Sequence, residues 1–143
     1  MKTTARNQFA GTIDDVAPGP VTTQVSVTLP GGQQVVATVT TAAAERLKLA
    51  VGKEAILLIK SSAVVLVLDF AGYSLSARNQ FQGAISRVER GAVSSLVVLT
   101  LPGGRNLTAS VTNDAVDALA LSVGVGATAV FKAYSVMVAV ATQ

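Results

Sequence analysis

A chain of 143 residues can form one ordinary domain or two very small ones, and length does not choose between them. Half of it is hydrophobic (50%), only 13% is charged, the net charge is +3 at pH 7, and cysteine and histidine are both absent. Those absences exclude disulfides, thiolate or imidazole metal sites, and Ser-His-Asp or Cys-His nucleophiles, so a metal could enter only already wrapped in oxygen. The mild cationic bias falls short of the dense basic patches that drive nucleic-acid binding and suits a modest anionic ligand. The apolar surplus predicts a homo-oligomer. Its runs, such as Ala55–Ile59 and Ala63–Leu68, are interrupted by Lys60 and lie below the roughly 18 apolar residues of a membrane span. The opening Met1-Lys2-Thr3-Thr4 turns polar at once, which predicts no export signal and a cytoplasmic location.

In chain order, Phe9–Val16 and Val21–Leu29 read as strands around the turn Pro18-Gly19-Pro20. Pro30-Gly31-Gly32 leads to a third strand, Val35–Val39. Ala42 to about Leu49 is rich in helix formers, with Thr40 or Thr41 as N-cap and Gly52 beyond its end. Ala55–Ile59 and Val64–Leu68 complete the order β-β-β-α-β-β, that of a five-stranded OB-like barrel.

The same order then repeats at an offset of 72 residues without a gap. Ala5-Arg6-Asn7-Gln8-Phe9 returns as Ala77-Arg78-Asn79-Gln80-Phe81, Thr28-Leu29-Pro30-Gly31-Gly32 as Thr100-Leu101-Pro102-Gly103-Gly104, and Lys60 as Lys132. The expected fold is therefore all-β with short helices: two tandem OB-like five-stranded β-barrels, residues 1–71 and 72–143.

Duplication shows which polar residues both copies keep. Of 11 Lys and Arg, only Arg6/Arg78 and Lys60/Lys132 coincide, joined by the hydroxyls Thr4/Ser76 and Thr40/Thr112 and the amides Asn7/Asn79 and Gln8/Gln80. An Arg fork, an ammonium, hydroxyls and backbone N–H groups converging on one point would form a donor-rich socket for a tetrahedral dianion. Thr40 and Thr112 also open the short helix, where free N–H groups favour an anion. The bland alternative stands equal on these grounds: Arg6 and Lys60 could pair with carboxylates or cap carbonyls across a subunit boundary. Gly11/Gly83 and the Pro-Gly-Gly turns are expected to be structural, and Phe9, Phe81 and Phe131 to be core. The one acidic pair retained is Glu45/Asp117, expected to face solvent. With Asp14, Asp15, Asp69 and Glu89 unmatched by acids in the other copy, no enzyme is expected. Two further readings remain: an OB-fold single-stranded nucleic-acid binder, weakened by 4% aromatic content, and a purely structural assembly module.

Thr4-Ala5-Arg6-Asn7-Gln8-Phe9 and Ser76-Ala77-Arg78-Asn79-Gln80-Phe81 resemble the Ser-Ala-Arg-Asn-Gln opening of molbindin (Mop) domains, related to the TOBE module of molybdate-transport ATPases. The likeness covers the whole chain and is to the di-domain molbindins, without DNA-binding or ATPase domains. It implies a cytoplasmic protein of molybdenum storage and homeostasis, a homotrimer with molybdate or tungstate held between adjoining subunits, no catalytic cofactor and no bare metal cation. Carried over by position, one site would use Thr4, Ala5, Arg6, Thr40, Lys60 and Ser61, and the other Ser76, Ala77, Arg78, Thr112 and Lys132, with Asn7 and Asn79 as further contacts. Thr4 departs from the Ser-Ala-Arg pattern but keeps the hydroxyl. Ala133 departs from Lys-Ser and loses it, so the two sites are expected to differ.

Overall fold

The structure is a computed structural model and describes residues 1–142. Its elements run β1 (Asn7–Pro18), β2 (Thr22–Thr28), β3 (Gln34–Thr40), α1 (Thr41–Arg46), β4 (Glu54–Ile59), β5 (Val65–Val67), β6 (Asn79–Arg90), β7 (Ser94–Thr100), β8 (Asn106–Thr112), α2 (Asn113–Ala118), β9 (Gly126–Phe131) and β10 (Val136–Ala139). Single 3-10 turns, Ser61–Ala63 and Ala133–Ser135, precede β5 and β10. The all-β class and the β-β-β-α-β-β order of each repeat both hold.

Period-2 patterning makes the strands. In β2, Thr23, Val25 and Val27 point inward and are buried, while Thr22, Gln24, Ser26 and Thr28 lie on the half-exposed face. The long β1 serves two ladders: its first half pairs with β4 and its second half with β2, and the register shifts between Ile13 and Asp15 where the strand bends. Gly11 is needed at that bend, since a Cβ there would lie 2.6 Å from the Thr28 carbonyl oxygen; at Gly83 the same atom would lie 2.5 Å from that of Thr100. Both helices are shorter than the expected Ala42–Leu49. Each buries a single side chain, Ala44 or Val116, which is too little apolar contact to support more turns. After α1 the chain turns through Lys48 at φ 54, and Lys53 Nζ donates to the Leu47 carbonyl at 2.9 Å.

Two compact units divide the chain, and neither coincides with a repeat. Unit 1 comprises Met1–Ile59 with the segment that begins at Lys132, and unit 2 comprises Lys60–Phe131. Unit 1 has strand order β10-β4-β1-β2-β3, with β10 lying against β3; unit 2 has β5-β9-β6-β7-β8, with β5 against β8. The repeat boundary at residues 71 and 72 is thus not a boundary between units: each repeat gives its last strand to the other's barrel. The exchange costs no pairing, because the ladders are equivalent. Val65 pairs with Val130 as Met137 pairs with Leu58, each member displaced by 72 residues. Ile13, Val25, Val27, Leu57 and Ile59 fill one barrel, and Ile85, Val97, Leu99, Leu107 and Phe131 the other, each worth about 1.5–3 kcal/mol of burial.

Residues 1–71 expressed alone lack β10 for β4 and β9 for β5. They should fold only by exchanging strands with a second copy, so light scattering should give no folded monomer; a cooperative monomer would contradict the exchange.

Candidate functional site

The retained polar residues gather at the ends of strands. Asn7 pairs with Ile59, so Arg6 stands immediately before the β1–β4 ladder and Lys60 follows its last β4 residue; Asn79 pairs with Phe131, with Arg78 and Lys132 in the same relation. Arg6, Arg78, Lys60 and Lys132 are all exposed, as are Thr4, Ser76, Thr40 and Thr112, while Ala5, Ala77 and Ser61 are half-buried. Asn7 and Asn79 differ in being buried, at 2% and 1% exposure. Grouping by unit also differs from grouping by repeat. Unit 1 holds Thr4, Ala5, Arg6, Asn7, Thr40 and Lys132, and unit 2 holds Lys60, Ser61, Ser76, Ala77, Arg78, Asn79 and Thr112. The turn Ser61–Ala63 packs on β8 and the turn Ala133–Ser135 on β3, because the chain has already crossed when it reaches them.

The loop before each first strand is held by its glutamine. Gln80 Nε2 donates to the carbonyls of Ala77 at 3.1 Å and Leu75 at 3.4 Å, and Gln8 Nε2 donates to that of Ala5 at 3.4 Å. The Ala5 N–H donates to Thr3 Oγ1 at 3.0 Å. These bonds fold the chain back at Arg6 and Arg78, so the guanidinium leaves from a fixed base.

The threonines that end β3 and β8 are anchored too. Thr40 Oγ1 accepts from Ala43 N at 3.1 Å and Thr112 Oγ1 from Ala115 N at 3.2 Å, as N-caps. A hydroxyl whose lone pair is so engaged still has its hydrogen to give, so each presents a donor. The helices that these threonines cap are six residues long.

Next to each cap sits a clasp that the sequence reading passed over. Thr41 Oγ1 donates to the Gly19 carbonyl at 2.6 Å and lies 2.9 Å from the buried Thr23 hydroxyl. In the other unit, Ser95 Oγ donates to Asn113 Oδ1 at 2.6 Å and Asn113 Nδ2 to the Gly91 carbonyl at 2.9 Å. A hydroxyl at 23 and 95, with polar residues at 41 and 113, was the available signal.

The retained acid Asp117 does not enter this set. It takes a two-pronged ion pair from Arg90, at 2.8 and 3.0 Å, on the exposed face. The hydrogen bond from Arg90 holds the Asp117 carboxyl below its ordinary range and raises the guanidinium in turn. Three of the phenylalanines offer little to stacked bases: Phe9 and Phe131 are buried, and the rings of Phe81 and Phe131 stack on each other at 5.8 Å between centroids. A groove of about 800 Å³ in unit 1, bounded by Gly11, Leu29, Ile56 and Ala139, contains none of the retained basic residues. Among the described residues no helix is long and apolar enough to cross a membrane, and no group of three or more His, Cys, Asp or Glu could hold a metal ion.

The chain resembles known proteins over nearly its whole length. The profile of the TOBE domain matches residues 3–66 and again residues 75–138, so the chain is a tandem of two such domains. It is 74% identical over 140 residues to the molybdenum transport protein ModE of Herbaspirillum seropedicae, covering 98% of this chain and 52% of that one. It is 36% identical over 139 residues to the molybdenum-pterin-binding protein MopB of Rhodobacter capsulatus, covering 97% of this chain and 52% of that one. The chain therefore spans about half the length of these relatives. A solved structure of the cytoplasmic molybdate-binding protein ModG, with molybdate bound, superposes with a TM-score of 0.95 at 42% identity, over 99% of this chain and 100% of that one. The chain belongs to the TOBE-domain family, as a di-domain molbindin.

Thr41→Ala should cost about 1–3 kcal/mol, because it strips the buried Thr23 hydroxyl of its partner. Chemical denaturation should show this loss, and a change within error would remove the clasp from the site's support.

Proposed function

We propose that the chain binds molybdate or tungstate as an intact oxyanion and serves in molybdenum storage and homeostasis in the cytoplasm. The observation that carries this reading is the pair of repeated donor sets. Taken by sequence repeat, one consists of Thr4, Ala5, Arg6, Thr40, Lys60 and Ser61, the other of Ser76, Ala77, Arg78, Thr112 and Lys132, and neither contains a carboxylate. Arg supplies a planar fork, Lys a point charge, and Thr40 and Thr112 a hydrogen freed by their caps. Asn7 and Asn79, buried at the start of β1 and β6, complete the sets as further contacts. The names of the relatives and the molybdate in the solved ModG structure support the choice of ion.

Such a set selects by protonation. Molybdate, tungstate and sulfate carry no proton near neutral pH, whereas hydrogen phosphate brings one that needs an acceptor the set does not offer. The chemistry is binding without catalysis, and nucleic acid is not the ligand of these residues: among the described residues the exposed aromatics are Tyr73 and Tyr134, too few for a stacking track.

We place the sites between subunits of a homotrimer. Both repeats expose the same apolar positions, Val21 and Val93 at 73% and 76%, Val51 and Val123 at 66% and 68%, and Val65 and Met137 at 58% and 54%. Duplicated exposure marks a surface that another copy covers.

Isothermal titration should show molybdate binding that phosphate does not displace and that Arg6→Ala/Arg78→Ala abolishes; no heat, or displacement by phosphate as readily as by tungstate, would overturn the reading. Analytical ultracentrifugation should give a trimer that Val21→Asp/Val93→Asp weakens, and a monomeric parent protein would refute the shared sites.

A further inference from the structure

The floor of the groove in unit 1 consists of two side-chain rows set by strand register. Ala139 pairs with Ile56 and Ile56 with Ala10, which makes an apolar row across β10, β4 and β1. Two residues along, Glu54 pairs with Thr12 and Thr12 with Thr28, which makes a polar row across β4, β1 and β2. All six residues line the groove, whose volume of about 800 Å³ is that of a small-molecule site. We infer that this groove binds an organic amine, with an apolar body on the first row and a cationic nitrogen against Glu54 on the second.

The rows lie on the outer side of the barrel. Phe9, Ile13, Ala55 and Leu57, which alternate with them along β1 and β4, are buried in the core. Ala10, Thr12 and Glu54 are exposed, and Ile56, Thr28 and Ala139 half-buried. Strand spacing makes the apolar row about 10 Å wide, and the rise along a strand places the polar row about 7 Å from it.

The sign of the ligand follows from what the polar row can offer. Glu54 is the one charged side chain lining the groove, and among the described residues it enters no ion pair. Thr28 Oγ1 gives its hydrogen to Asp14 Oδ2, which also accepts from Gln34 Nε2 at 3.3 Å, so Thr28 has only lone pairs left to offer. Thr12 can act either way, and the rest of the row accepts. An ammonium group satisfies such a row, whereas an anion meets the Glu54 carboxylate as a like charge.

The second repeat supplies an internal comparison. At the offset of 72 the apolar row becomes Val67, Thr128 and Gln82, and the polar row becomes Gly126, Ala84 and Thr100, on ladders of the same register. Asp14, behind Thr28, becomes Ser86. Unit 2 thus keeps the backbone and loses both the carboxylate and the apolar stripe, so the fold alone does not require these side chains.

The test uses three probes with one apolar body, octylammonium, octanol and octanoate, titrated separately into the full chain and followed by methyl NMR with selective isoleucine labelling. Of the four isoleucines, Ile13, Ile59 and Ile85 are at most 1% exposed, and Ile56 lines the groove. Octylammonium should shift the Ile56 methyl signal and leave that of Ile85 in place. It should bind about fivefold tighter than octanol, the upper range for an ion pair open to solvent, with octanoate weakest. Glu54→Gln should bring octylammonium to the affinity of octanol. Ile56→Thr, which installs the residue type that unit 2 carries at the equivalent position, should weaken all three; if that variant fails to fold, Glu54→Gln alone decides. An unmoved Ile56 signal, octanoate binding as well as octylammonium, or Glu54→Gln without effect would overturn the inference. So would dissociation of an oligomer by Ile56→Thr in sedimentation, which would give the groove to a second copy of the chain.

Discussion

Closure of each barrel by a strand from the other repeat is the constraint on which the rest depends. A five-stranded sheet of this size exposes edge groups unless its first and last strands meet, and here the strand that meets β3 is β10 and the one that meets β8 is β5. Each repeat therefore finishes the other's core, through the β4–β10 and β5–β9 ladders. The same crossings carry residues of the proposed sites. Lys60 and Lys132 are the residues at which the chain leaves one unit for the other, and the turns that follow them pack on β8 and β3.

On the proposed reading, that placement lets a lightly charged protein with no histidine or cysteine handle a metal. The metal would arrive as a dianion with its own oxygens, and the protein would answer with donors alone. Strand ends suit this task because the residues just outside a ladder are fixed by its register yet remain at the surface. Local hydrogen bonds complete the rigidity: Gln8 and Gln80 fold the arginine loops, and the clasps through Thr41 and Asn113 hold the starts of the helices whose caps orient Thr40 and Thr112. Donors held before the ligand arrives lose little freedom on binding, which favours affinity over adaptability.

Much of this was legible in the sequence, and the parts that were not have a common cause. Strand positions followed from period-2 patterning and from Pro-Gly turns, and the gapless offset of 72 exposed both the duplication and the retained Arg and Lys. Gly11 and Gly83 stood out as structural, and the contact of their missing Cβ with a neighbouring carbonyl gives the reason. The exchange of strands was hidden because Val64–Leu68 and its copy are the same strand to any pairing rule, and periodicity does not say whose β4 it joins. The helices were read too long because good helix formers continue to Leu49, while Lys48 turns the backbone at φ 54. Both copies keep Asn7 and Asn79, and their burial was not legible from that retention.

Anomalous diffraction from crystals grown with tungstate would locate the bound ions directly. Heavy-atom peaks beside Arg6 and Lys60, and beside Arg78 and Lys132, with the anion's oxygens on hydroxyl and N–H donors, are the expected result. Peaks confined to the groove between Gly11 and Ala139, or ordered crystals with no peak near either lysine, would show that the duplicated basic residues serve the assembly of the barrels and that the ion is held elsewhere or not at all.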